Sequence, residues 1–197
     1  GELVEWNMGT TPGTPELFTH LPYCSCYFDG KLYVGTIPDA IDESAELRAS
    51  NGDSAVSEGS FAVGGHNVGF ISCMRVYNGR LFMGLGDWDT TPTHAQLWSR
   101  RPGAFLLAWE ATLTASGGAA TSGNYFASMT EFNGSLYASW YGASSNASIY
   151  KITANDPGDP TSTSFTTSTV LSAPTLTAAN NPFRLWFDDG VLYAVAE

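Results

Sequence analysis

Apolar and polar residues alternate in short runs along the chain, and one pattern occurs four times. Each copy has an apolar or aromatic segment, an Asp-Gly or Asn-Gly pair, and a Leu two residues after the glycine. Such alternation is typical of half-buried β-strands. The Asx-Gly pair accepts the positive φ angles of a two-residue hairpin turn. We therefore predict four β-hairpins, with turn glycines Gly30, Gly79, Gly134 and Gly190.

The four turn glycines are separated by 49, 55 and 56 residues, close to the repeat of about 50 residues in Kelch-like propeller blades. A third strand is predicted after each of the first three hairpins, at 45–48, 95–99 and 147–151. Fourth strands are predicted at 61–63, 105–109 and 165–170. Four strands per repeat is the composition of a propeller blade.

The pattern as a whole predicts an all-β fold, a β-propeller of four blades with four antiparallel strands each. The last repeat ends after its second strand, and segments 2–6 and 16–19 have the pattern of the two strands it lacks. We expect segment 2–6 to lie beside 191–197, in a blade shared by both termini. Across this seam the turn glycines are only 37 residues apart. A four-repeat slice of a larger propeller therefore remains the alternative.

The predicted domain organisation is a single domain over residues 1–197. In chain order it consists of the outer strands of blade 4 at 1–20, blade 1 at 21–66, blade 2 at 67–122, blade 3 at 123–178, and the inner strands of blade 4 at 179–197.

The hairpin motif, Asn-Gly-x-Leu-Tyr-x-Gly-Thr followed by a Gln/Glu-Leu-Trp strand, resembles repeats of bacterial and viral β-propellers of the Kelch-like and sialidase-like group. Residues 183–187 and 192–195 are also similar to blades of tachylectin-type sugar-binding propellers. The resemblance covers essentially the whole chain and implies architecture alone. The sialidase Asp-box and the tachylectin Gly-Gly-Trp segment are absent from this sequence, so no functional residue is carried over.

Charge narrows the choice of partner. The 197 residues include 8 Lys and Arg against 19 Asp and Glu, for a net charge of -11. Nucleic acids and anionic membrane surfaces bind mainly through Lys and Arg, so we predict neither as a partner. The sequence has no phosphate-binding loop and no nucleophile elbow. Carboxylates after the second strands are not repeated in the third copy. We therefore predict no cofactor and no metal.

The three cysteines, Cys24, Cys26 and Cys73, are predicted to be free, buried thiols. An odd number in a chain of this length is not a disulfide scaffold. Cys24 and Cys73 both lie six residues before a turn glycine, so a bridge between them is the alternative. It requires Cα atoms within about 7 Å.

Aromatic and acidic residues after the second strands form the first candidate site. Asp87, Trp88 and Asp89 lie in one such loop, and Trp140 and Tyr141 occupy the equivalent place in the third repeat. Aromatic faces beside carboxylates can hold sugars. We expect a ligand on this face, because hairpin turns on the opposite face are too tight to form a pocket. Packing between blades is the competing role for these aromatic rings.

Charged residues of the innermost strands form the second candidate site. Arg75, Glu131 and Arg184 lie close to their turns and are predicted in or near the central channel. An Arg–Glu pair is the structural interpretation, because buried charges need partners. The functional interpretation is a clamp for an anion or a substrate. A glycosidase uses two facing carboxylates, and only Glu131 lies on an inner strand.

These observations favour a role without catalysis. The predicted function is a non-catalytic binding or structural assembly module, displayed on a virion, a phage tail or an extracellular surface. Its predicted partners are other protein subunits or surface glycans. A carbohydrate-binding lectin is the first alternative, and a glycan hydrolase or lyase on a propeller scaffold is the second. Fold alone does not choose among them.

Overall fold

The described part of the chain is all-β, as predicted. A computed structural model describes residues 20–38, 44–51, 55–61, 69–86, 94–104, 110–116, 124–142, 146–172 and 183–196. All of the regular secondary structure in these ranges consists of β-strands. The same residues contain no helix with the length and apolar character needed to cross a membrane.

The fourteen strands form four antiparallel sheets, each with its strands in chain order. Sheet I consists of β1 (His20–Phe28), β2 (Lys31–Pro38), β3 (Ala45–Ser50) and β4 (Ala55–Phe61). Sheet II consists of β5 (Phe70–Tyr77), β6 (Arg80–Gly86), β7 (His94–Arg100) and β8 (Glu110–Ser116). Sheet III consists of β9 (Asn124–Phe132), β10 (Ser135–Gly142), β11 (Asn146–Ala154) and β12 (Phe165–Ser172). Sheet IV consists of β13 (Phe183–Asp188) and β14 (Val191–Ala196).

All four predicted hairpins are confirmed. In the first, Phe28 pairs with Lys31 and leaves a two-residue turn. The residue before each turn glycine has a φ between 45° and 49°, and the glycine itself has a φ between 68° and 75°. Two consecutive positive φ angles define the turn whose twist suits adjacent β-strands. Asn and Asp tolerate this conformation better than other residues with side chains, so four short sequence motifs determine four strand pairings.

The third strands contain the predicted segments, but the fourth strands are less regular. β12 contains the predicted segment 165–170. β4 instead ends at Phe61, where the prediction had begun, and β8 begins at Glu110, after the predicted segment. Residues 62–63 and 105–109 lie outside the described ranges. The prediction of β4 was wrong because its residues 56, 57 and 60 are exposed. An outer strand with a solvated face lacks the apolar run on which the prediction relied.

The sheets pack face to face in series, with β1 against β5, β5 against β9 and β9 against β13. One core lies between sheets I and II, where Leu47 packs with Ile71 and Met83. A second core lies between sheets II and III and includes Phe82 and Phe126. A smaller cluster joins sheets III and IV.

Closure of the series into a ring would bring β13 against β1. These two strands, which are both described, do not pack as the successive first strands do. The predicted seam strands at 2–6 and 16–19 lie outside the described residues, as does Glu197. The pairing of segment 2–6 with 191–197 therefore stays a prediction.

Candidate functional site

An open groove lies where the hairpin ends of sheets II, III and IV meet. Its volume is about 310 Å³, and it is lined by Arg75 of β5, Glu131 and Phe132 of β9, Asn133 of the adjoining turn, and Phe187 and Gly190 of the last hairpin. The tight turns hold no pocket within themselves. The groove forms between neighbouring hairpins, a possibility that the tightness of the single turns does not address, and it brings together Arg75 and Glu131 of the predicted channel site.

Two phenyl rings form the apolar wall of the groove. The ring centroids of Phe132 and Phe187 are 6.2 Å apart, and the ring planes are inclined by 46°. Phe132 also packs edge-on against Tyr137 of the neighbouring strand, at 6.1 Å. These contacts hold Phe132 in place from two sides, while Phe187 stays 53% exposed. The groove thus offers an aromatic surface to a ligand.

The charges of the groove are available to a ligand. Arg75 and Glu131 are both exposed. Within the described part of the chain, neither side chain takes part in an ion pair. The Arg–Glu pair that we considered for these residues is thus not formed. Arg184, the third predicted channel residue, is exposed on β13 and is not among the described residues that line this groove.

The opposite ends of the first strands carry a row of aromatic rings that sequence reasoning missed. Tyr23 packs on Phe70 at 5.9 Å, Phe70 on Tyr125 at 5.2 Å, and Tyr125 on Tyr141 at 5.4 Å. The row crosses sheets I, II and III and ends at an exposed Tyr23. The signal in the sequence is the aromatic residue near the start of β1, β5 and β9.

The predicted loop site is described only in part. Asp87, Trp88 and Asp89 lie outside the described residues. They come directly after Gly86, whose close approach to Tyr125 leaves no room for a Cβ atom. Of the two other predicted residues, Tyr141 is half-buried within the row.

Trp140 has a packing role rather than an open ring face. It lies within β10 and is 4% exposed. Its indole N–H donates a hydrogen bond to Asn124 Oδ1, and its ring packs edge-on against Tyr150 at 6.5 Å.

A buried ionic contact joins two sheets. Arg100 of β7 donates to Glu58 of β4 at 2.7 Å, and Lys31 donates to the same carboxylate at 3.1 Å. Burial alone would raise the pKa of Glu58. Hydrogen bonds from Arg100 and Lys31, together with their charges, outweigh burial and hold this pKa below its usual value. The guanidinium of Arg100 also lies 5.5 Å from the ring centroid of Tyr33.

The cysteines are free, as predicted. Cys73 is buried, whereas Cys24 and Cys26 are partly buried. Burial raises the pKa of Cys73 to about 12 and also raises the pKa of Cys24 and Cys26. The described residues contain no group of three or more His, Cys, Asp or Glu side chains placed to hold a metal ion.

Comparisons with known proteins leave the site to be interpreted from its own chemistry. No protein-family model matches the chain, and no curated protein is significantly similar to it.

Proposed function

We propose that the chain is a binding module built on a β-propeller scaffold, with the four sheets as consecutive blades. Four findings support the scaffold: antiparallel sheets, strands in chain order, repeated hairpins, and serial face-to-face packing of first strands. In a propeller the first strand of each blade is innermost. The groove would then lie beside the axis, at the hairpin end of the blades.

The groove carries this proposal. It places one cationic and one anionic side chain, Arg75 and Glu131, next to two phenyl rings and the amide of Asn133. A guanidinium binds carboxylate or phosphate oxygens, and a carboxylate accepts hydrogen bonds from hydroxyl groups. The rings suit an apolar face of the same ligand. A small polar ligand with one apolar face fits these groups best.

The second candidate function is carbohydrate binding, a more specific form of the same proposal. A sugar ring has an apolar C–H face and several hydroxyl groups, which match Phe187 and Glu131. The row of aromatic rings at the opposite end offers exposed Tyr23 as a second surface of this kind. A glycan hydrolase would use a second carboxylate facing Glu131. The single carboxylate among the described lining residues suits binding.

The proposed setting is an extracellular or virion surface, with other protein subunits or surface glycans as partners. The excess of 19 acidic over 8 basic residues supports this choice over a nucleic acid or an anionic membrane. The function that we propose is binding and assembly, without a chemical step.

A glycan array followed by calorimetric titration of the selected glycan tests the proposal. Arg75→Ala should raise the dissociation constant about tenfold or more, because a charged hydrogen bond contributes about 1.5–3 kcal/mol. Arg101→Ala is the matched control, since Arg101 is also exposed but lies in a loop outside the groove. If both variants bind the glycan with equal affinity, the groove is not the binding site. Absence of binding to every glycan would remove the carbohydrate candidate.

A further inference from the structure

The two charges of the groove are departures from the repeat. Arg75 lies four residues before its turn glycine, where the other three hairpins have the uncharged residues Cys26, Thr130 and Trp186. Glu131 lies three residues before its turn glycine, where the others have Tyr27, Val76 and Phe187. The same hairpin thus forms with uncharged residues at both places. Because the fold does not require these two charges, they are available to recognise a ligand.

The side-chain amide of the groove is also available. Asp29 and Asn78 occupy the place of Asn133 in their own turns, and each accepts a hydrogen bond from a glycine amide of the next sheet, at 2.7 and 2.6 Å. Asn133 is exposed, and its side chain has no hydrogen-bond partner among the described residues. Its amide can therefore bind a ligand that also contacts Arg75.

Carboxylates outnumber cationic groups around the groove. The two turns that border it, residues 131–135 and 187–191, contain Glu131, Asp188 and Asp189 but no Lys or Arg. All three carboxylates are exposed, and Arg75 is the one cationic residue among the described lining residues. This balance favours a ligand with a cationic group, together with one anionic group for Arg75.

The aromatic wall of the groove indicates which kind of cation fits. Phe132 and Phe187 are inclined by 46°, with their ring centroids 6.2 Å apart, and Tyr137 lies 6.1 Å from Phe132. The faces of such rings attract cations. A primary ammonium has three N–H donors that need acceptors, which phenyl rings do not supply. A quaternary ammonium has no such donors and packs its methyl groups on the rings, so it suits this wall better.

We propose that the groove binds a zwitterionic ligand of the phosphocholine type, which carries a quaternary ammonium group and a phosphate. The ammonium packs on Phe132 and Phe187, near the carboxylate of Glu131. The phosphate accepts hydrogen bonds from Arg75 and from the side-chain amide of Asn133. The groove volume of about 310 Å³ is at the lower end for small-molecule sites and suits a ligand of this size. The inference rests on the proposed binding function and deepens it by naming the ligand class.

Isothermal titration calorimetry with phosphocholine, up to about 10 mM, tests the inference. Phosphoethanolamine is the matched ligand, because it differs only in its lack of N-methyl groups, and choline is the ligand without the phosphate. We expect phosphoethanolamine to bind about two- to fivefold more weakly than phosphocholine. Choline should bind about tenfold more weakly or less tightly still, because it loses the contact with Arg75. Equal affinity for phosphocholine and phosphoethanolamine would contradict the role of the quaternary ammonium.

Variants of the wall and of the guanidinium assign the two ends of the ligand. Phe187→Leu keeps an apolar side chain and removes the ring, and should weaken the binding of choline and phosphocholine about two- to fivefold. Tyr27→Leu is its control, because Tyr27 has the same place in the first hairpin, is exposed, and is not among the described lining residues. Arg75→Ala should weaken phosphocholine binding about tenfold or more, and choline binding much less. Equal effects of Phe187→Leu and Tyr27→Leu on choline would overturn the assignment of the ammonium to the wall.

Vesicles of phosphatidylcholine distinguish two sources of the same chemical group. Sedimentation of the chain with the vesicles, reversed by free phosphocholine, would support a lipid headgroup as the ligand. Binding of free phosphocholine without sedimentation with vesicles would support an ester carried by another molecule, such as a surface glycan. Both results agree with the proposed ligand class.

Failure of this inference is separable from failure of the proposed function. If Arg75→Ala weakens the binding of a glycan while wild type does not bind phosphocholine, the groove binds another class of ligand and the inference alone is overturned. If phosphocholine binds but Arg75→Ala and Phe187→Leu retain the affinity of wild type, the site lies outside the groove and both proposals are contradicted. If neither glycans nor phosphocholine bind, both are also contradicted.

Discussion

Phe82 and Tyr193 stand at the same place in their hairpins, three residues after the turn glycine, yet one is fully buried and the other 41% exposed. The difference lies in the neighbour that each sheet has on the face towards the next sheet of the series. Sheet III covers Phe82, and Phe165 packs edge-on against its ring at 5.5 Å. No described sheet of the chain covers Tyr193. The same repeat therefore yields a core in one place and an open surface in another, as in other repeat architectures, where each unit depends on its neighbours.

The most severe test of this contrast truncates both rings. Phe82→Ala should lower the free energy of unfolding by about 3–5 kcal/mol, because it leaves a cavity between two sheets. Tyr193→Ala should cost less than about 1.5 kcal/mol, mainly through the loss of its stacking on Trp186. Urea unfolding monitored by circular dichroism measures both. Similar losses would mean that the two rings are equally buried.

The buried carboxylate between sheets I and II provides the second test. Glu58→Gln should cost about 2–3 kcal/mol, because Arg100 loses its charged partner in a buried place. Glu46→Gln, in the pair that Glu46 forms with Arg48 within sheet I, is the control and should cost less than Glu58→Gln, because Glu46 has one cationic partner where Glu58 has two. If the control variant loses as much stability as Glu58→Gln, the charge of Glu58 between the sheets contributes no more than a charge within one sheet.

The same carboxylate predicts the direction of the pH dependence. The pKa of Glu58 is lowered in the folded chain, so its contribution is present at neutral pH and is lost as the pH falls below about 5 through the folded-state value. Glu58→Gln should therefore show a flatter loss of stability in acid than wild type. An unchanged acid slope, from unfolding curves between neutral and acidic pH, would contradict this.

The glycine in the interface gives the third test. Gly84→Ala should cost about 1–3 kcal/mol, because its Cβ would meet Cys73 Sγ and Phe126 Cβ, each at 2.8 Å. Val195→Gly changes the equivalent place in sheet IV, where Val195 is exposed, and should cost about 1 kcal/mol or less, because glycine weakens a strand. Thermal unfolding of the two variants at low concentration decides. The contrast fails if Gly84→Ala is as stable as wild type.

The smallest expected effect is on the reactivity of the thiols. It is measured on the wild-type chain and involves no change in the free energy of unfolding. Cys73, with a pKa of about 12 and a buried side chain, should resist alkylation at pH 8 in the folded chain, because the thiolate is the reactive form. Cys26, which is partly buried, should react first. Intact mass and peptide mapping track the labels, and the unfolded chain should accept three. Labelling of Cys73 at the rate of Cys26 would indicate an open interface.

The hairpins could be predicted because their chemistry is local. Asp29 and Gly30 adopt positive φ angles that few other residue pairs accept, so two adjacent residues determine a turn. The fourth strands could not be predicted as well, since β4 has exposed residues on its outer side and no continuous apolar run. Periodicity works best where one face of a strand is clearly buried.

The groove could be predicted only in part, because its lining brings together residues far apart in the chain. Arg75 and Phe187 meet there only after sheets II, III and IV have packed in series. The repeat alignment does predict that Arg75 and Glu131 lie near the hairpin ends. The spacing of residues in the sequence does not give the direction of a side chain. It therefore does not predict that Arg75 and Glu131 leave each other unpaired, or that two phenyl rings lie beside them.

Hydrogen–deuterium exchange tests the central contrast most directly, by comparing β6 (Arg80–Gly86) with β14 (Val191–Ala196). Amides of covered strands exchange through larger openings than amides of exposed ones. We predict that β14 exchanges much faster than β6. Equal protection of both strands would show that sheet IV is covered as fully as sheet II, and would contradict the account.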